Sequence, residues 1–552
     1  RDGTSPNQME ADLDLNSNRI LNVTDPVNNQ DAATKKYVDS NAPSAGTLSD
    51  ALYSNIATMK LASIVVGSYV QTKGYYSAGG GGAASYLVVA AQAFDGYGDH
   101  ELANGNIAVL QTSGVFNVRQ FGAAGDGVTD DTDALQAALN TSQPVHLPKG
   151  RYRTTRELTV DPAINRNTGF IGEASISSYS DTAQVGVPIW DGKQEVTIFY
   201  DGALSDTTCV LRASAEDVGV QVAQTFDNAI YGFRLENVVL DGNDKAGFGL
   251  YAIRLQEPRV KGVVITGTNK HAYYIDQAYS GRYEQISAFK NNGCGISVGR
   301  GGLDYGWSAG KFVNAMYFSD LYAATNGADK AFDETTNPLW GYGIGLWLHR
   351  GNTVTSYTSE LNDGVALVLA PTSSTNYIAS GYSELSNSYS VSGTTAITDG
   401  RASRKWGCWF IGDASAGSLN ARVCNVYIAD EGIRLTGTEP SSSRKEGAVS
   451  FENITSANYL EADWGNYRLI NCNQELYAGI TGSSPTGAAV FGGGIQFDPT
   501  ISTALNAYDE GVFSPELQGD TIAGSGWVHS INVGAYTRVG NRVFVSGRIV
   551  LS

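Results

Sequence analysis

From residue 144 onward this chain repeats one kind of short segment, and that repetition limits the folds open to it more than any other feature. The segments include "FRLENVVLDGND", "RVKGVVITGTNK", "RYEQISAFKNNG", "AMYFSDLYAATNG", "YGIGLWLHRGNT", "NYIASGYSELSN", "ARVCNVYIADEG" and "FENITSANYLEADWG". Each alternates apolar and polar residues over a strand's length, and most close on an Asn- or Asp-containing turn. Val238 and Val263 are 25 residues apart, and Glu360 and Glu384 are 24 apart. No long helical pattern interrupts the series. A unit this short buries its inner face only against the unit before and after it, so the pattern predicts stacked coils. The expected fold is all-β, a right-handed parallel β-helix (a solenoid). A β-propeller would need longer four-stranded units joined by hairpin turns, and two-residue hairpin turns are few here.

Composition agrees with a β-rich chain and removes some functions. Of 552 residues only 17% are charged, while Gly (65) and Tyr (30) are abundant, as strands and turns require. A net charge of −18 disfavours nucleic-acid partners, which call for Lys/Arg-rich faces. No run of about twenty apolar residues is present, so membrane insertion is not expected. Cys209, Cys294, Cys408, Cys424 and Cys472 are scattered and odd in number. They read as buried free thiols, suited to folding in a reducing cytosol. The sequence opens at Arg1 with no signal-peptide pattern, which reads as a trimmed start.

Four regions follow from the pattern. Residues 1–45 are polar, with one short helix expected at "DAATKKYVD", and cannot bury a core alone. Residues 46–113 read as a small head or neck domain, with strands at "SIVVGSYV" and "YLVVAAQAF" and a glycine-rich turn between them. That turn lacks the Gly-Lys-Ser/Thr of a phosphate loop. Residues 114–500 are the β-helix, and 501–552 begin a C-terminal β module whose last apolar strand leads one to expect more chain beyond. At the start of the β-helix, "GVFNVRQFGA" reads as a strand and "DALQAALN" as a two-turn helix. Between them Asp130 is expected to cap the helix and Asp133 to sit in its first turn. A metal held by Asp126, Asp130 and Asp131 lacks the spacing of a calcium loop, so neither metal nor other cofactor is expected.

Three stretches together resemble bacteriophage tailspikes that carry a pectate-lyase-like β-helix. "MEADLDLNSNRILNVTDPVNNQDAATKKYVD" is similar to the segment by which tail fibres and spikes attach to the virion. "FNVRQFGAAGDGVTDDTDALQAAL" resembles the helix that caps the first coil. "YDEGVFSPELQG" with "GAYTRVGNRVFVSGRIVL" resembles a module found after such β-helices. The resemblance covers the ends of the chain and leaves the middle matched only as an architecture. It implies a homotrimer joined to phage tail or baseplate proteins through its N-terminus. It further implies a capsular polysaccharide depolymerase, binding and cleaving a bacterial capsule or O-antigen at the host surface. Threefold packing would also cover the flat face and free end of a long β-helix.

Glycosidic hydrolysis needs two carboxyl groups across the scissile bond. Acids concentrate between residues 330 and 390: Glu334, Glu360, Asp363 and Glu384 are the candidate catalytic residues. The Tyr-x-x-Glu at Glu360 and the Tyr-Ser-Glu at Glu384 look like equivalent places one coil apart. Trp340, Trp347, Tyr382 and His349 are candidate substrate contacts, since sugar faces stack on aromatic rings. Turn acids are also commonly just solvated, and Glu461 with Asp463 repeats the local pattern. Two other readings stay open. A polysaccharide lyase would need a base, for which Lys311, His349 and Arg350 are available. A non-catalytic adhesin would bind the glycan on the same scaffold.

Overall fold

The computed structural model describes residues 52–112, 114–163, 167–173, 196–220, 229–305, 307, 313–327, 341–347, 351–370, 376–384, 406–412, 421–429, 432–437, 449–455, 457, 459–465, 467–472, 480–482, 509–513, 529–539 and 542–551. Three all-parallel sheets of 11, 10 and 11 strands run side by side, and the chain visits them in rotation. One coil takes Arg234–Glu236 in sheet 1, Val239–Asp241 in sheet 2 and Ala246–Ile253 in sheet 3. The next takes Arg259–Lys261, Val264–Thr266 and His271–Asp276, directly in register with the first. This is a parallel β-helix, as the repeat predicts.

The turns explain why the coils are so compact. Sheets 1 and 2 are joined by a single left-handed residue at Asn237, Gly262, Gln285, Asp320, Asn425 and Asn453. Glycine, or a short polar side chain that bonds locally, holds that conformation at least cost, which is why Asn recurs there. Inside, the alternation builds stacked columns: Leu235, Val260, Tyr283, Phe318, Val354 and Ile378 in sheet 1, and Leu250, Tyr273, Ile296, Ile344, Leu367 and Cys408 in sheet 3. All are essentially buried. All five cysteines are buried.

The start of the β-helix differs in part from the sequence expectation. Val118–Phe121 is a 3₁₀ helix, not a strand. Asn117 and Gln120 form a reciprocal capping box around it, and left-handed Gly122 ends it, so local side-chain bonding overrides the alternation. The helix Thr132–Leu139 is present. The N-cap position is Asp131, whose side chain makes no capping bond; Asp130, one residue earlier, accepts from the Thr132 backbone N–H at 3.1 Å and so takes one of the free N–H groups. Asp131 is fully buried and accepts instead from Ala124 (2.6 Å) and Gly125 (3.0 Å), clamping the preceding loop. Among the described residues no group of His, Cys, Asp and Glu could hold a metal ion, and no helix is long and apolar enough to cross a membrane.

Residues 52–111 form a five-stranded sheet. Its glycine run packs on the 3₁₀ helix: a Cβ at Gly82, whose φ is +70°, would lie 2.1 Å from the Arg119 carbonyl oxygen. Strands 509–513, 529–539 and 542–551 form an antiparallel sheet, and residues 540–541 between the last two lie outside the described residues. The short helix expected in 1–45 lies outside the described residues.

Candidate functional site

Sheet 2 carries Tyr357–Glu360 and Gly381–Glu384 as adjacent strands. Their pairing sets Thr358 beside Tyr382, Ser359 beside Ser383 and Glu360 beside Glu384. The equivalence read from the sequence is therefore the true register for both acids. Ser359 and Ser383 are buried inside, so Thr358, Glu360 and Tyr382, one residue away along their strands, belong to the opposite, outer face. Tyr357 is nearly buried and lies on the inner side, so the two tyrosines of the sequence pattern do not correspond.

Two aromatic partners were not singled out from sequence. Tyr322 lies on the preceding coil, beside Thr358, and its hydroxyl donates to Glu360 Oε1 at 2.9 Å. Tyr427 lies on the following coil beside Tyr382; their rings stack 5.3 Å apart and within 7° of parallel. Tyr427 is 41% exposed, so the stack offers an open aromatic face. The signal for both was the column itself: Tyr322, Thr358, Tyr382 and Tyr427 occupy the same register position in four successive strands.

Asp363 follows on the same coil, past the left-handed turn at Leu361. Its carboxyl is largely buried, and burial pushes it up from 3.8 to about 6, the range of a group protonated in mild acid. Its backbone N–H donates to the Asn326 carbonyl at 2.8 Å, which ties it to the coil before.

Trp347 is not on this face. It follows a sheet 3 strand and packs with Tyr342, Val365, Val368, Trp406 and Trp409 in an apolar cluster outside that sheet. Glu461 is also on sheet 3, salt-bridged to Arg434. Glu334, Trp340, His349, Lys311 and Arg350 lie outside the described residues. For Glu384 the backbone is described and the side chain is not.

A second polar cluster lies on sheet 3, unanticipated by the sequence reading. His271 Nδ1 and Ser297 Oγ are 2.7 Å apart, and Ser297 Oγ and the Tyr342 hydroxyl 2.6 Å. Arg300 donates to Asp304 at 2.8 Å. Burial, helped by Arg300 and Lys270, pushes His271 well below its usual range, so it is neutral. His271, Ser297 and Tyr342 are at most 4% exposed. That burial suits a structural network better than a contact with a polymer.

Residues 115–324 match the family described as Rhamnogalacturonase A/epimerase, pectate lyase-like. Over that span the parallel β-helix is similar to the pectate-lyase-like family. A segment of 45 residues is 51% identical to alginate lyase 7 of Azotobacter vinelandii, covering 7% of this chain and 5% of that enzyme. A pre-neck appendage protein of Bacillus phage B103 is 25% identical over 218 residues, covering 39% of this chain and 20% of that protein. The chain thus spans only a small part of these relatives. Among solved structures, a tailspike of Acinetobacter baumannii bacteriophage Fri1, described as a capsular polysaccharide depolymerase, is similar over 90% of this chain and 91% of its own, with 14% identity and a TM-score of 0.45.

Proposed function

We propose that this chain is a phage tailspike that binds and hydrolyses a bacterial surface polysaccharide, capsule or O-antigen. It would act outside the host as a homotrimer held to the virion through residues 1–45. One observation carries the reading: Glu360 and Glu384 are register partners in sheet 2, next to Tyr322, Tyr382 and the stacked, exposed Tyr427. Adjacent strands lie about 4.8 Å apart. That spacing is close to the roughly 5–5.5 Å between carboxyl groups of retaining glycosidases and below the roughly 6.5–9.5 Å of inverting ones. In this reading Glu360, fixed in position by the Tyr322 hydroxyl, attacks the anomeric carbon. Glu384 protonates the glycosidic oxygen and then activates water. The Tyr382–Tyr427 stack supports the sugar ring, and Asp363 and Glu334 stand by as the alternative acids.

A polysaccharide lyase is the second reading, favoured by the segment shared with alginate lyase 7. Mass spectrometry of fragments released from a panel of purified capsules separates the readings. Hydrolysis adds one water per bond cut, which is the expected result. Fragments lacking that water, with the absorbance of an unsaturated uronate, would replace hydrolysis by elimination. Tight binding with no fragments from any capsule would leave an adhesin.

A further inference from the structure

Sheet 1 turns a single continuous column of side chains outward: Arg234, Arg259, Arg282, Tyr317, Thr353, Tyr377, Arg422, Ser450 and Arg468 are register partners from one strand to the next. No acid interrupts it, in a chain whose net charge is −18. Arg259, Arg282, Tyr377 and Arg422 are exposed. The neighbouring outward column of the same strands supplies Glu236, Lys261 and Glu284, so across these three coils four cations face two carboxylates. Arg234 and Arg259 share Glu236, at 2.7 and 3.3 Å. Arg282 lies 5.9 Å from the centre of the Tyr317 ring. Arg422 lies 5.7 Å from that of Tyr377, and its guanidinium is already paired with Glu452 at 2.9 and 2.5 Å, so the cations on offer are those of the first three coils.

We propose that this column is a binding surface for an extended anionic polysaccharide, one that carries carboxylates along its length, lying parallel to the axis of the β-helix. Three features select that occupant. The cations repeat at the strand spacing of about 4.8 Å, so a linear polymer with periodic charge can meet several at once, whereas a compact anion meets one. Arginine offers its guanidinium fork to a carboxylate in a two-point contact. Tyr317 and Tyr377, which follow the three consecutive arginines in the same column, add aromatic rings on which sugar rings pack. The inference rests on the reading that the chain handles polysaccharide, and it adds the charge class of the substrate and a contact surface on a sheet separate from the proposed carboxylate pair.

The test uses the full chain carrying Glu360→Gln, so that a bound glycan is not consumed. Binding is measured against uronate-containing bacterial capsules, each beside its carboxyl-reduced, neutral form. We expect at least one acidic capsule to bind, its reduced form to bind at least about tenfold more weakly, and Arg259→Gln and Arg282→Gln each to weaken the acidic form by about tenfold with little effect on the reduced one. Equal binding of both forms, or unaltered binding by the two variants, overturns the proposal while leaving the depolymerase reading in place. Loss of trimer mass on light scattering in the arginine variants would instead assign the column to contact with a second copy, and also overturns it. Failure to bind any glycan, with the trimer intact, would defeat the depolymerase reading itself.

Discussion

The coils of residues 234–298 and those of residues 317–384 share one backbone plan and differ in what fills and faces them. In the first group the inner column of sheet 2 is Leu240, Ile265 and Ala288. In the second the same inner column becomes Ala323, Ser359 and Ser383. Apolar burial there is smaller, and hydrogen bonds take over. Asn291 donates to Asn326 and Asn326 to Asn362, each at 2.8 Å, in a ladder buried inside the β-helix. Asn362 in turn bonds the Ser359 hydroxyl at 3.1 Å, one residue from Glu360. A ladder satisfies each buried amide with its neighbour, and it fixes the rise between coils more closely than interchangeable methyl groups do. The ladder starts in the earlier coils, where Asn291 Oδ1 accepts from Thr268, and in the strand that carries the candidate acid it meets a serine column in place of an apolar one.

This contrast can be broken most sharply at Glu360. Glu360→Gln removes the carboxylate proposed to react and little volume, so turnover should fall by about 10²–10⁴-fold with oligomeric state and glycan binding kept. Retained turnover in Glu360→Gln and Glu384→Gln, each alone, would place the site elsewhere. The reverse pattern is expected in the earlier coils. Ile265→Ala should cost about 2–4 kcal/mol in denaturant unfolding and leave turnover of the folded protein unchanged. Asn326→Ala lies between the two: it removes one hydrogen bond from each of Asn291 and Asn362, which keep their bonds to the Ile265 carbonyl and the residue 326 backbone N–H, so it should cost about 1–2 kcal/mol and also reduce turnover. A stability loss with no kinetic effect would separate the ladder from the site.

How far the sequence reached follows the same division. The spacing of turns and the alternation between them are properties of backbone geometry, so the coil and the pairing of Glu360 with Glu384 could be read directly. Tyr322 could not, because its strand ends in Ala324 where the next two end in Glu360 and Glu384, and no local motif marks it. Trp347 looked like a neighbour of the acids because the chain between them is short, but one coil passes through three sheets and the Trp follows a different one. Val118–Phe121 alternates like a strand, yet its capping box depends on how Asn117 and Gln120 bond, which alternation does not encode.

Smaller effects follow from charge. Burial raises Asp363 to about 6, so the folded chain holds that proton more tightly than the unfolded chain does. Its stabilising contribution is therefore complete below about pH 4 and lost as pH rises toward about 6. Asp131, also raised by burial to about 6, acts in the same direction. Asp363→Asn should flatten part of that fall and be the more stable form by about 1–2 kcal/mol at pH 7, read from unfolding midpoints across pH 4–7. A slope identical to that of the unaltered chain would remove Asp363 from the account. At the far end of the β-helix, Asp130→Asn should leave depolymerisation unchanged and cost about 1 kcal/mol or less, since asparagine caps nearly as well.

The central claim is that cleavage occurs on the outer face of sheet 2, and diffraction from the Glu360→Gln trimer soaked with oligosaccharides cut from its own capsule tests it most directly. The account predicts a glycosidic oxygen within about 2.6–3.2 Å of the residue 360 or Glu384 side chain, with a sugar ring against Tyr382 and Tyr427. A scissile bond seated on sheet 3, with those four side chains untouched, would contradict it.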